Sequence, residues 1–177
     1  MQRGGKLDTV YDGKHIQLAR RGTWEFVSRR GVSGIVGIIA VTDAEELILV
    51  EQYRAPVDKD VIELPAGLAG DVPGHEMEEL EVAARRELLE ETGYEAQTMR
   101  RVAEGTASAG ITDEIITLFM ATGIKKTGAG EGDGSEKITV HLVPLKEVQS
   151  WLSSKQAKGK LVDLKIYSAL HFAHPPA

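Results

Sequence analysis

Residues 85–94, Arg-Arg-Glu-Leu-Leu-Glu-Glu-Thr-Gly-Tyr, place three carboxylates within five positions and then stop at a glycine. On a helix turning about 100° per residue, Glu90 lies about 60° to one side of Glu87 and Glu91 about 40° to the other. Three acids therefore share one narrow stripe. Like charges one turn apart repel by roughly 0.2–0.5 kcal/mol per pair, and Arg86 offsets only part of that through Glu90. Glu90 and Glu91 also fall in the last turn, where the helix dipole disfavours negative charge. A divalent cation removes these objections, because Mg²⁺ and Mn²⁺ prefer hard oxygen ligands and keep positions open for water and phosphate oxygens. Glu87 and Glu91 can reach one such ion, with Glu90 close enough to join a second. On spacing alone, a solvated Glu-rich surface helix is the competing reading.

The elements around this stripe follow from periodicity. "HIQLARR" and "TWEFVSR" flank an Arg-Gly turn and read as strands of alternating polarity. "GIVGIIAVT" and "ELILVEQYR" are aliphatic at successive positions, with "DAEE" turning between them, and suggest a hairpin buried on both faces. "VIELPAG" is a short strand stopped by proline and glycine. A helical pattern runs from about Glu76 to Glu91, and Gly93 is placed to end it in a left-handed conformation. "IITLFMATGI" and "KITVHLVPL" are strands again. The stretch 145–173 reads as two amphipathic helices broken near Gly159, with Val162, Ile166, Ala169 and Leu170 on one face of the second. The expected fold class is α+β, an α/β/α sandwich with a mixed sheet between helices. A small N-terminal β element, residues 1–32, precedes the main domain, residues 33–177.

With 177 residues the chain can bury one real core. Its net charge of −6 argues against nucleic acid or an anionic membrane as partner, since phosphate neutralisation needs clustered Lys and Arg. It does not exclude a small phosphorylated ligand presented through a cation. The absence of cysteine excludes disulfides and thiol nucleophiles. The N-terminus has no apolar signal region and no run approaches a membrane span, so a soluble cytoplasmic protein is expected.

"RRELLEETGY" resembles the second half of the Nudix box, G-x5-E-x7-R-E-U-x-E-E-x-G-U, where U is a bulky apolar residue. Arg86, Glu87, Leu88, Glu90, Glu91, Gly93 and Tyr94 all match, and Glu78 stands eight residues before Arg86 as the pattern asks. The leading glycine does not match: Val72 takes its place, with Gly67 and Gly70 nearest. Glu76 therefore competes with Glu78 as the loop glutamate. "VEQYRAPV", "VIELPAGL" and "SAGITDE" are similar to segments of the ADP-ribose and nucleoside-diphosphate-sugar pyrophosphatase branch, although alanine stands where that branch usually has proline in the last of them.

The resemblance implies metal-dependent hydrolysis of a pyrophosphate in ADP-ribose or an NDP-sugar, with Mg²⁺ or Mn²⁺ as cofactor. Glu87, Glu90, Glu91 and the backbone carbonyl of Ala66 would be the ligands, and Arg86 and Glu90 belong to the catalytic box. The general base would be a loop glutamate before a late strand: Glu136, with Glu131 and Asp133 as rivals. Arg54 would hold a phosphate, a task suited to a forked guanidinium. Glu63 would accept from base or ribose, and Asp113 or Glu114 from the terminal sugar. Trp24 or Phe26 would stack on the nucleobase from the second subunit of a homodimer built through the N-terminal β element. Another nucleotide as substrate, or a non-catalytic ADP-ribose sensor, are the alternatives.

Two other signals carry less. "GAGEGDG" lacks the strand-to-helix context of a dinucleotide fingerprint. "HEMEE" has Glu79 where a zinc protease needs its second histidine.

Overall fold

The structure, a computed structural model, describes residues 5–130 and 137–173. Three antiparallel strands, β1 (Leu7–Asp12), β2 (Ile16–Arg21) and β3 (Trp24–Arg29), form a separate N-terminal sheet in the order β1-β2-β3. Two four-stranded sheets follow. The first contains β4 (Gly34–Ala40), β7 (Ala66–Ala69), β8 (Tyr94–Thr106) and β9 (Ile115–Lys126), in the order β7-β4-β9-β8. The second contains β5 (Glu46–Arg54), β6 (Lys59–Glu63), β10 (Thr139–Pro144) and β11 (Leu161–Val162), in the order β10-β5-β6-β11. Both are mixed, with β4 parallel to β9 and β6 parallel to β11. Helix α1 spans Leu80–Thr92, α2 Val148–Ala157 and α3 Lys165–Ala173.

Alternation along β4 and β5 decides which helix packs where. Val36, Ile38, Ala40 and Ile48 join Ala83, Ala84 and Leu88 of α1 in one buried cluster. Ile39, Leu47 and Leu49 join Val148, Leu152, Ile166 and Ala169 of α2 and α3 in the other. Helices thus cover both faces, as an α/β/α sandwich requires. Ile38 and Ile39 are fully buried on opposite faces, each contributing about 1.5–3 kcal/mol by area.

Four expectations need correction. The "GIVGIIAVT" and "ELILVEQYR" strands are not a hairpin: after a tight turn and a single bridge between Val41 and Leu47, β4 and β5 separate into different sheets. Both strands are aliphatic on both faces, so each needs two strand neighbours, and periodicity does not say which. Helix α1 begins at Leu80 rather than Glu76, because residues 71–79 form turns and the Glu78 side chain is used elsewhere. Strand β8, absent from the sequence reading, is a polar edge strand with a bulge between Arg101 and Ala103, and its charges hide the alternation. Val162 lies in β11, paired with Ile62, rather than on a helix face.

Candidate active site

The box helix meets β7 along its acidic stripe. Gly93 ends α1 with φ 74° and donates its N–H to the Leu89 carbonyl at 2.8 Å, as the glycine signal implies. A Cβ at Gly67 would lie 1.9 Å from the Glu87 carboxyl carbon, so only glycine lets this carboxylate rest on the β7 backbone. There Glu87 accepts from the Leu68 N–H at 3.3 Å, and Glu91 accepts from the Ala66 N–H at 3.0 Å.

Arg86 is the hub of the wall. Its Nε and Nη2 grip the two oxygens of Glu78 at 3.1 and 3.0 Å, and Nη2 also donates to the Leu68 carbonyl at 2.8 Å. Its Nη1 reaches Glu87 at 2.9 Å and Glu90 at 3.1 Å, and Asp71 lies 3.5 Å from Nη2. Geometry sets Glu78 apart from Glu76. The Glu78 side chain is 3% exposed and clasped by Arg86, whereas Glu76 is exposed and accepts from backbone N–H groups of its own turn, Gly74 at 3.0 Å among them. The guanidinium holds the Glu78 carboxyl below its usual range, and Glu78 in turn raises the Arg86 pKa.

Glu87 and Glu91 are different. Burial pushes Glu87 up to about 7, outweighing its pairing with Arg86. Burial pushes Glu91 up to about 8; the Ala66 backbone N–H and the charge of Arg54 relieve part of this, and the charges of Glu87 and Glu63 add to it. Glu90 remains half exposed.

These carboxylates and Ala66 line a cavity of about 590 Å³ together with Arg54, Glu63 and Glu114. Arg54 is held by Glu63: Nε lies 3.1 and 3.2 Å from the two carboxylate oxygens, and Nη2 lies 2.6 Å from one of them. Glu114 is bound by Arg29 at 2.9 Å, which ties β3 to the loop before β9. Asp113 donates its N–H to the Val27 carbonyl at 3.4 Å and does not line the cavity. Trp24 is 60% exposed, donates Nε1–H to the Gly110 carbonyl, and stands outside the cavity. Phe26 is buried, with the Arg21 guanidinium over its ring. Glu131, Asp133 and Glu136 lie outside the described residues.

The sequence reading missed several cavity residues. Asp71 and Arg29 gave no pattern; Asp163 and Lys165 could have been found, since Asp163 accepts from the Lys165 N–H at 2.7 Å in the manner of a helix cap.

The donor chemistry of this wall fits a hard divalent cation: carboxylate oxygens from one helix face, with Glu91 buried and Glu87 half-buried, beside the Ala66 backbone. Among the described residues no three such side chains converge closely enough to hold an ion as they stand, because Glu87 and Glu90 are turned to Arg86. No helix among the described residues is long and apolar enough to cross a membrane.

A fold of two mixed sheets between helices, with an Arg-organised acidic helix on one cavity wall, has its counterpart in a known family. The family model described as NUDIX domain matches residues 33–168, and the chain belongs to that family. It is 37% identical over 124 residues to the methanol dehydrogenase activator of Bacillus methanolicus, covering 70% of this chain and 64% of the relative. It is 40% identical over 88 residues to the ADP-ribose pyrophosphatase of Bacillus subtilis, covering 50% of this chain and 45% of the relative. The chain therefore matches about half to two thirds of the length of these relatives. A crystal structure titled ADP compounds hydrolase superposes with a TM-score of 0.65 at 19% identity, covering 85% of this chain and 84% of that one, which establishes the shared fold.

Proposed function

We propose that the protein hydrolyses the pyrophosphate bond of ADP-ribose or a related nucleoside-diphosphate sugar, giving a nucleoside monophosphate and a sugar phosphate, with Mg²⁺ or Mn²⁺ as cofactor. One observation carries this reading. Glu87 and Glu91, one helical turn apart, rest against the β7 backbone, Glu91 buried and Glu87 half-buried, in a cavity that Arg54 also lines. Acidic groups beside a guanidinium suit a ligand that is itself anionic and arrives with cations. The name of the Bacillus subtilis relative supports the substrate class.

Glu87, Glu90, Glu91 and the Ala66 carbonyl would hold the cation, and binding competes with the Arg86 pairing of Glu87 and Glu90. When bound, the cation neutralises phosphate charge, polarises phosphorus and lowers the pKa of a water. Arg86, fixed by Glu78, sets the orientation of the acidic face. Arg54 binds a phosphate oxygen in the forked geometry that suits it. Glu136 accepts the proton of the attacking water, the water oxygen bonds to phosphorus, and the bond from phosphorus to the bridging oxygen breaks. Glu114, anchored by Arg29, faces the terminal sugar.

The reading includes a homodimer built through the N-terminal sheet, supported by Leu7, Val10, Tyr11, Ile16 and Trp24, large apolar residues left exposed on β1–β3. Light scattering should give twice the chain mass.

The deciding experiment incubates the protein with ADP-ribose, a panel of NDP-sugars and nucleoside triphosphates, with and without Mg²⁺ or Mn²⁺, and resolves the products by chromatography. Metal-dependent AMP from ADP-ribose, lost in Glu91→Gln, is the expected result. Cleavage of triphosphates alone, or tight ADP-ribose binding without turnover, would overturn it.

A further inference from the structure

Behind Arg54 lies a buried amide with no evident structural purpose. Gln52, on β5 two residues before Arg54, is 3% exposed. Its Nε2 donates to Glu63 Oε2 at 3.3 Å, while its Oε1 has no hydrogen-bond partner among the described residues. A leucine or methionine would fill the same volume without burying an unpaired carbonyl oxygen, so packing alone does not explain a glutamine here. What the amide does accomplish is specific. Glu63 Oε2 already accepts from Arg54 Nη2 at 2.6 Å, and the Gln52 amide meets the same oxygen from the β5 side. Strand register makes this contact possible: Gln52 pairs with Val61 and Arg54 with Lys59, so Glu63 on β6 extends along the side chains of both.

We infer that Gln52 is a positioning residue: its amide locks the Glu63 carboxylate, which holds the Arg54 guanidinium in the cavity wall at the angle needed to bind a phosphate of the substrate. The inference rests on the role proposed above for Arg54. Glu63 is then the arm between Gln52 and Arg54 rather than an acceptor for base or ribose. Without the amide, Glu63 has one fixed donor fewer and can turn toward the cavity, where it would meet Glu91 and an anionic ligand with like charge.

Two readouts separate this from a core-filling role. The first needs no substrate: the Arg54 Nε–H signal in a proton–nitrogen correlation spectrum, assigned by its disappearance in Arg54→Lys. In Gln52→Met, which keeps chain length and volume, this signal should shift and broaden. The second is steady-state kinetics with the preferred substrate in Mg²⁺. Loss of a contact made equally in ground and transition states raises KM by about five- to twenty-fold and leaves kcat within about two-fold. The thermal midpoint should not fall. An unchanged Arg54 signal with unchanged KM, or a fall in kcat alone, would overturn the inference. Should Gln52→Met fail to fold, Gln52→Leu removes the same amide and should perturb the same signal. If the wild-type protein turns over no nucleotide sugar, the proposed function falls, and the Arg54 spectrum still decides the role of Gln52.

Discussion

Two glutamates in this molecule are withdrawn from water and meet opposite fates. Glu51, on β5, is met by Lys160 at 2.7 Å, Lys155 at 2.9 Å and His141 at 2.8 Å. Burial works against its charge, yet the hydrogen bonds from Lys160, Lys155 and His141 outweigh that cost and hold the carboxyl at about 2. Glu91, on α1, has one backbone N–H at 3.0 Å, and burial drives it to about 8. The first group ties α2 and the loop before β11 to the sheet. The second is left electrostatically short of partners beside an open cavity. A fold that surrounds one carboxylate with cations and leaves another nearly bare is what the proposed function requires, with the bare one meeting a charge that comes from outside.

The largest test removes the reserved charge. Glu91→Gln should lower turnover by about 10³-fold, the scale of several kcal/mol of lost transition-state charge stabilisation. It should leave the thermal midpoint equal or higher, because glutamine keeps the shape of an acid that burial already drives to about 8 and removes the cost of ionising it. A destabilised, still active variant would break the contrast. Arg86→Ala makes the opposite exchange: it orphans Glu78, whose side chain is 3% exposed, and should cost about 3 kcal/mol in denaturant unfolding. Next comes the cation itself. At about one hundred times its dissociation constant, Mg²⁺ should stabilise the wild type by about 2.7 kcal/mol and Glu91→Gln by much less, read as a shift in melting temperature.

The contrast also explains which parts were legible in the sequence. The acidic stripe could be read because Glu87, Glu90 and Glu91 conflict with local helix physics, and Gly93 marks where the helix ends. The two helices after Pro144 and the paired faces of β4 and β5 could be read from periodicity. The partners of β4 and β5 could not, since pairing is a non-local choice among strands that are aliphatic on both faces. Strand β8 was hidden because an edge strand is protected by the same charged residues that erase its pattern. Around the cavity, residues that act through a long-range partner were silent: Gln52 matters only because Glu63 arrives from β6, and Arg29 only because Glu114 arrives from the loop before β9. The Glu51 cluster was invisible for the same reason, with its lysines more than one hundred positions away along the chain.

The smallest expected effect concerns that cluster and fixes the sign of its contribution. The folded-state pKa of Glu51, about 2, is depressed from an ordinary value of 4.5. An acid shifted in this direction stabilises the fold fully above its unfolded pKa and loses that contribution as pH falls through the folded value. Stability should therefore decline between about pH 4.5 and pH 2 by more in the wild type than in Glu51→Gln, whose midpoint should be lower at neutral pH and flatter across this window. At pH 7 the substitution should cost about 1–2 kcal/mol, because Lys155 and Lys160 keep some water contact after losing their partner, or roughly 2–8 °C in melting temperature for a domain of this size. Turnover should be preserved, since Glu51 does not line the cavity. Equal acid slopes in the two proteins would mean that the ion cluster, despite its short contacts, adds nothing to stability, and that Glu51 and Glu91 differ less than their surroundings imply.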